Sequence, residues 1–104
     1  MSRYLVTGGT GFIGKHLTRF LQQRASEGDV VSVGSKFDLT NPAKAKELFQ
    51  NFGKFDYVIH LADVQGDAKW AAQNAAMQFM ANAKMSLHVL ESWHLHQPQA
   101  RLIC

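Results

Sequence analysis

The stretch Thr7-Gly8-Gly9-Thr10-Gly11-Phe12-Ile13-Gly14 decides the fold. Its glycines at 8, 11 and 14 recur every three residues, and the flanking sequence is what makes that spacing informative. Before the stretch, Tyr4-Leu5-Val6 is a short apolar run that ends in glycines, which reads as a buried strand followed by a tight turn. After it the period changes: Ile13, Leu17, Phe20 and Leu21 recur at helical spacing, with Lys15, Arg19 and Arg24 between them. In a strand-turn-helix setting, such glycines let the chain turn tightly, bring backbone N–H groups close to a pyrophosphate, and let the helix pack against its strand. A helix starting near Phe12 adds partial positive charge where the phosphates would lie.

A second phosphate motif overlaps the first, because Gly9 to Lys15 also reads as GxxxxGK, the opening of a mononucleotide P-loop. His16 spoils that reading. A P-loop needs Ser or Thr there to hold Mg²⁺ through its hydroxyl, and an imidazole is a poor ligand for so hard an ion. Lys15 is then a solvated helix residue.

Further along, the first helix runs down around Ser26-Glu27-Gly28-Asp29, with Gly28 suited to a left-handed helix end. Val30 to Val33 is a β-branched run bounded by Gly34, a second strand. Asn41 can cap a helix whose first residue is Pro42, and Ala45, Leu48, Phe49 and Phe52 mark its apolar face up to Gly53. Tyr57 to Leu61 is the clearest strand. From Asp67 to His96 one long helix, or two in series, is expected, with Ala72, Ala76, Met80, Ala83, Leu87 and Leu90 as the face that packs on the sheet. Gln97-Pro98 stops it, and Arg101 to Cys104 begins another strand. Strands alternating with helices imply an α/β fold: a Rossmann-type doubly wound parallel sheet, expected to end at about its fifth strand, with residues 1–104 forming one dinucleotide-binding domain.

Composition agrees. The 104 residues suffice for one core, and 46% apolar residues is ordinary for a globular domain. The net charge of +3 comes from 11 Lys and Arg residues scattered along the chain, which favours an anionic small ligand over nucleic acid. No run approaches the ~20 apolar residues of a membrane span. The N-terminal Met1-Ser2-Arg3 leads directly into a strand, so no signal region is expected, and the lone Cys104 gives no internal disulfide. The expected location is the cytoplasm.

The strand-TGGTGFIG-helix opening, the Asp38-Leu39 pair, the strand ending His60-Leu61-Ala62, and Asn82 with Leu90 in NAKMSLHVLES occur in the order found in the extended short-chain dehydrogenase/reductase family. The chain resembles these NAD(P)-dependent sugar-nucleotide epimerases, dehydratases and reductases over nearly all of its length. The resemblance implies that Gly8, Gly11, Phe12, Ile13 and Gly14 line the pyrophosphate, that Asp38 and Leu39 flank the adenine, and that Leu61 and Ala62 lie near the ribose on the nicotinamide side. The family usually has a second alanine after Ala62, so Asp63 is a departure. Around Val64-Gln65-Gly66 the likeness is to the fucose-synthesising reductases.

An acid about 20 residues past the glycines would accept the ribose hydroxyls of NAD. Gly34-Ser35-Lys36 stands there instead, and a hydroxyl with an ammonium suits the 2′-phosphate of NADP. NADP is therefore the expected cofactor, with NAD as the alternative and Lys36 as a solvated loop lysine the bland reading. The family's catalytic Ser or Thr and its Tyr with a Lys four residues on have no match here, since neither Tyr4 nor Tyr57 is followed by such a lysine. The 104 residues are expected to bind cofactor without catalysing hydride transfer alone. A non-catalytic or redox-sensing module, and an interaction scaffold, are the other functional classes. Self-association through an uncovered sheet edge is expected. His94 and His96 point to different sides of a helix and do not suggest metal. Trp70 and Trp93 read as packing residues, and Asn82 as a helix kink implied by the resemblance.

Overall fold

Three short apolar runs and one mixed run pair side by side because each is flanked by residues that turn the chain. The computed structural model describes residues 2–26 and 28–104. The elements are β1 (Tyr4–Thr7), α1 (Phe12–Arg24), β2 (Val30–Val33), α2 (Pro42–Asn51), β3 (Tyr57–His60), α3 (Ala68–Gln73), α4 (Ala75–His96) and β4 (Arg101–Ile103). All pairings are parallel, in the order β2-β1-β3-β4. The strand at which the chain stops is thus the fourth of the sheet, where about the fifth was expected.

Strand alternation sorts the side chains onto two faces. Leu5 and Val58 join Ala45, Leu48 and Phe49 of α2 and Met85 and Val89 of α4 in one buried cluster. On the opposite face α1 packs on β1 and β2, and Tyr4 stacks on Tyr57 with ring centroids 5.3 Å apart. Both tyrosines are half-buried on that face, outside the central cluster. Helices on both faces of a parallel sheet make the doubly wound architecture.

Helix α2 forms as its sequence dictates. The Asn41 side chain accepts the Ala43 N–H at 3.0 Å, Pro42 opens the first turn, and Gly53 follows the end at φ +82°. Gln97 does more than stop α4. Its buried amide donates to the carbonyls of Phe49 and Gly53 and accepts the Phe55 N–H, tying α2, β3 and α4 together.

Several expectations change. The long helical region is two helices that meet at Asn74. In α4 the buried residues are Met85, Val89 and Ser92, whereas Met80, Leu87 and Leu90 are about half exposed and Ala72, Ala76 and Ala83 are also exposed, so the expected packing face points outward. Helix α1 likewise buries Gly14 and Thr18, with Phe20 half exposed and Ile13 more so, because it lies too close to the sheet for larger side chains. It ends at Arg24, and Gly28 takes φ +88° beyond that end rather than capping the helix. Glu27 and Met1 lie outside the described residues. Helix α4 is unbroken at Asn82, whose side chain holds the loop after β3 instead of kinking the helix.

Candidate functional site

The carboxyl ends of β1, β2 and β3 converge on the glycine stretch. Gly8 has φ +71°, a conformation that favours glycine, and a Cβ there would meet the Leu61 carbonyl carbon at 2.6 Å. A Cβ on Gly14 would fall 1.9 Å from the Gly8 carbonyl oxygen. The loop is therefore backbone packed on backbone, and it brings the start of α1 directly onto the turn. Gly11 is the N-cap and supplies no side chain to the first-turn N–H groups. The starts of α2 and α3 are instead capped by Asn41 and Asp67. With Phe12 79% exposed, the first turn of α1 faces the crevice open and positively polarised, an arrangement that accepts an anion.

Two clefts flank this turn. The first, of about 180 Å³, collects Gly8, Ser35, Asp38, Leu39 and Ala62 of the expected site residues. The second, of about 420 Å³, collects Phe12, Ile13, Gly14 and Leu61. Gly11, the N-cap of α1, lines neither cleft. Lys36 is exposed and lines neither cleft. The sequence reading did not assign Thr10, Phe37, Thr40, Val64 and Met85, which also line the first cleft. Thr10 and Val64 adjoin the motifs and could have been included. Met85 could not, since only the packing of α4 brings it there.

The Asp38 carboxylate accepts both the backbone N–H and the hydroxyl of Thr40. These bonds hold its pKa below the ordinary carboxylate value, so Asp38 is an anion at neutral pH. Leu39 is buried beneath it, and the Leu39 carbonyl accepts a hydrogen bond of 2.9 Å from His88 Nδ1. His88 therefore fastens this loop to α4.

The other wall is fastened through Thr7. Its Oγ1 accepts the N–H groups of Leu61 and Ala62, each at 3.1 Å, so its own proton goes to His60 Nδ1, 2.6 Å away. Nε2 of His60 is then the protonated nitrogen and donates to Ser86 Oγ at 3.2 Å. Burial holds the His60 pKa below its ordinary value, which keeps the ring neutral. Asn82 completes the wall by accepting the Val64 N–H at 2.6 Å, with Gln78 donating to the Val64 carbonyl at 3.0 Å. Trp70 packs over Gly66, and Trp93 donates to the Ala100 carbonyl. No three His, Cys, Asp or Glu side chains among the described residues gather into a metal site, and no described helix is long and apolar enough to cross a membrane.

The model of the NAD dependent epimerase/dehydratase family matches residues 4–104. Over 61 residues the chain is 41% identical to the GDP-6-deoxy-D-talose 4-dehydrogenase of Aggregatibacter actinomycetemcomitans, covering 58% of this chain and 20% of that protein. Over 96 residues it is 35% identical to a probable GDP-L-fucose synthase of Drosophila melanogaster, covering 90% of this chain and 30% of the relative. Among solved structures, the dTDP-4-dehydrorhamnose reductase of Bacillus anthracis in complex with NADP superposes with a TM-score of 0.80 at 22% identity, over 97% of this chain and 34% of the reductase. The chain thus spans about a third or less of the length of these proteins. A glycine turn pressed on β3, an open helix start and a family match along nearly every residue agree: the chain belongs to the NAD-dependent epimerase/dehydratase family.

Proposed function

We propose that this chain is the cofactor-binding part of an NADP-dependent reductase, epimerase or dehydratase that acts on a nucleotide-sugar-like substrate by hydride transfer, with NAD as the alternative cofactor. The observation that carries the reading is the uncapped start of α1 set against the Gly8 turn. The diphosphate takes the first-turn N–H groups there, beside glycines that leave room for it. Gly8, Gly11, Phe12, Ile13 and Gly14 hold the diphosphate, Ser35, Asp38 and Leu39 the adenosine end, and Leu61 and Ala62 the far ribose. Lys36 lies one residue beyond Ser35 and is exposed, and its ammonium is the charge that suits a 2′-phosphate. When bound, the nicotinamide supplies the hydride chemistry. The relatives named above, a GDP-sugar dehydrogenase and a fucose synthase, support a sugar-nucleotide substrate.

Titrating the purified chain with NADPH and NADH, followed by nicotinamide fluorescence, tests the reading. Saturable binding with NADPH the tighter ligand is expected. Binding of neither overturns it, and tighter NADH binding reverses the cofactor assignment.

Two finer points belong to the same proposal. The lone Cys104 suits a reducing compartment, the cytoplasm. β4 lies at one edge of the sheet with Arg101 and Ile103 exposed, an edge that pairs with a second copy. Light scattering at high concentration should show a species heavier than the monomer, and a clean monomer would remove this point.

A further inference from the structure

Resting on the dinucleotide reading, we propose that Asp63 makes the glycine loop select a dinucleotide over a nucleoside diphosphate or triphosphate, by repelling the extra charge of a free terminal phosphate.

The need for such selection lies in the loop. Gly9 to Lys15 keeps the GxxxxGK spacing whose usual ligand is a nucleoside triphosphate. His16 removes the hydroxyl that would hold Mg²⁺, yet the uncapped first turn of α1 accepts phosphate oxygens whether or not a second nucleoside follows them. Backbone N–H groups alone do not tell the two ligands apart.

A carboxylate stands at that turn. The second cleft is lined by Phe12, Ile13 and Gly14 of the first turn of α1 and, after β3, by Leu61, Asp63 and Gln65. A diphosphate held by the first turn therefore shares its cleft with Asp63. Gln65 Nε2 donates to Asp63 Oδ2 at 2.7 Å, so the carboxylate is held by a neighbour that lines the same cleft. Asp63 also lines the first cleft, which takes the adenosine at the end of the second strand. It thus stands where phosphates leaving the adenosine meet the helix. The Gln65 amide orients the carboxylate without neutralising it, and no Lys, Arg or His among the described residues lines either cleft.

The competing ligands differ in charge at this point. In a dinucleotide each phosphate is esterified on both sides, and the diphosphate carries two negative charges. In ADP the terminal phosphate is free and ionises a second time with a pKa of about 6, so at pH 8 it carries one charge more. A fixed carboxylate repels every diphosphate, and most strongly the one with the added charge. Within one cleft, at the high effective dielectric of an exposed side chain, each added charge costs roughly three- to tenfold in affinity. Repulsion of the wrong ligand confers specificity where the attractive contacts are shared. The alanine usual in the family at this position exerts no such repulsion.

The test measures dissociation constants of ADP, of ADP methylated on its terminal phosphate, and of ADP-ribose by calorimetry at pH 8, with a chelator present to remove divalent cations. The methyl ester carries the charge of a dinucleotide's diphosphate without its second ribose, which separates charge from added contacts. The unaltered chain should bind the ester and ADP-ribose more tightly than ADP. In Asp63→Asn and Asp63→Ala, the ratio of the ADP to the ester dissociation constant should fall about three- to tenfold. An unchanged ratio in both variants overturns the proposal while leaving cofactor binding intact. ADP binding the unaltered chain as tightly as its ester overturns it without any variant, so the decision does not depend on how the variants fold. Failure of both ADP-ribose and NADPH to bind the unaltered chain removes the dinucleotide reading itself.

Discussion

The glycine loop and helix α4 form facing walls of the same crevice and are built by opposite means. At the loop, backbone lies on backbone, and adding a single carbon at Gly14 would drive it into the Gly8 carbonyl. In α4, apolar side chains occupy both sides of the helix. Val89 is 1% exposed while its neighbour Leu90 is 48% exposed, and nothing in their chemistry separates them. The loop tolerates one local geometry. The helix has two candidate faces, and the sheet chooses between them. Position alone therefore predicts the consequence of a substitution in the loop, while in α4 the consequence depends on which face meets β1 and β3.

The sharpest test of that contrast is in the loop. Gly14→Val should force α1 away from the turn, lowering stability by about 3 kcal/mol and abolishing measurable NADPH binding. Gly11→Ala, whose added carbon meets nothing nearer than 3.4 Å, should change stability by about 0.5 kcal/mol. Equal effects of the two in urea denaturation would show that the loop is not sterically determined. In α4, Val89→Ala should destabilise by about 2 kcal/mol, and Leu90→Ala by less than about 0.5 kcal/mol. The reverse order would restore the face that the apolar spacing suggested.

The smallest effect joins the two walls. His60 connects Thr7 of β1 to Ser86 of α4, and burial lowers its pKa in the folded state. A lowered histidine pKa means that the unfolded chain takes up the proton first. The contribution of His60 is then complete above the ordinary histidine pKa of about 6.5 and declines as the pH falls below it, down to the folded pKa. The slope in that window is at most that of one proton, roughly 1.4 kcal/mol per pH unit. Urea midpoints measured between pH 5 and 8 should fall on the acid side, and His60→Asn should flatten the curve. An equally steep acid limb in the variant would assign the effect to other groups.

Much of this was legible beforehand because the relevant physics is local. The N-cap at Asn41, the turn at Gly53, the left-handed Gly8 and the four strand positions each depend on a few adjacent residues. Leu61 and Ala62 were also legible, since they follow directly on a strand. The pairs His88–Leu39, Asn82–Val64, Ser86–His60 and Gln97–Phe49 were not. Each joins residues far apart in the chain, and each uses a side chain whose type has many ordinary surface roles.

By itself, then, the sequence determined a parallel α/β chain with an open, glycine-built turn between its first strand and first helix. Glycine spacing and caps act over a single turn, so no other part of the molecule was needed to read them. Only the tertiary structure decided which stripe of α4 is buried, how Asp38 is held and that Asp63 lies between two clefts, because these depend on which surfaces meet when helices close over the sheet.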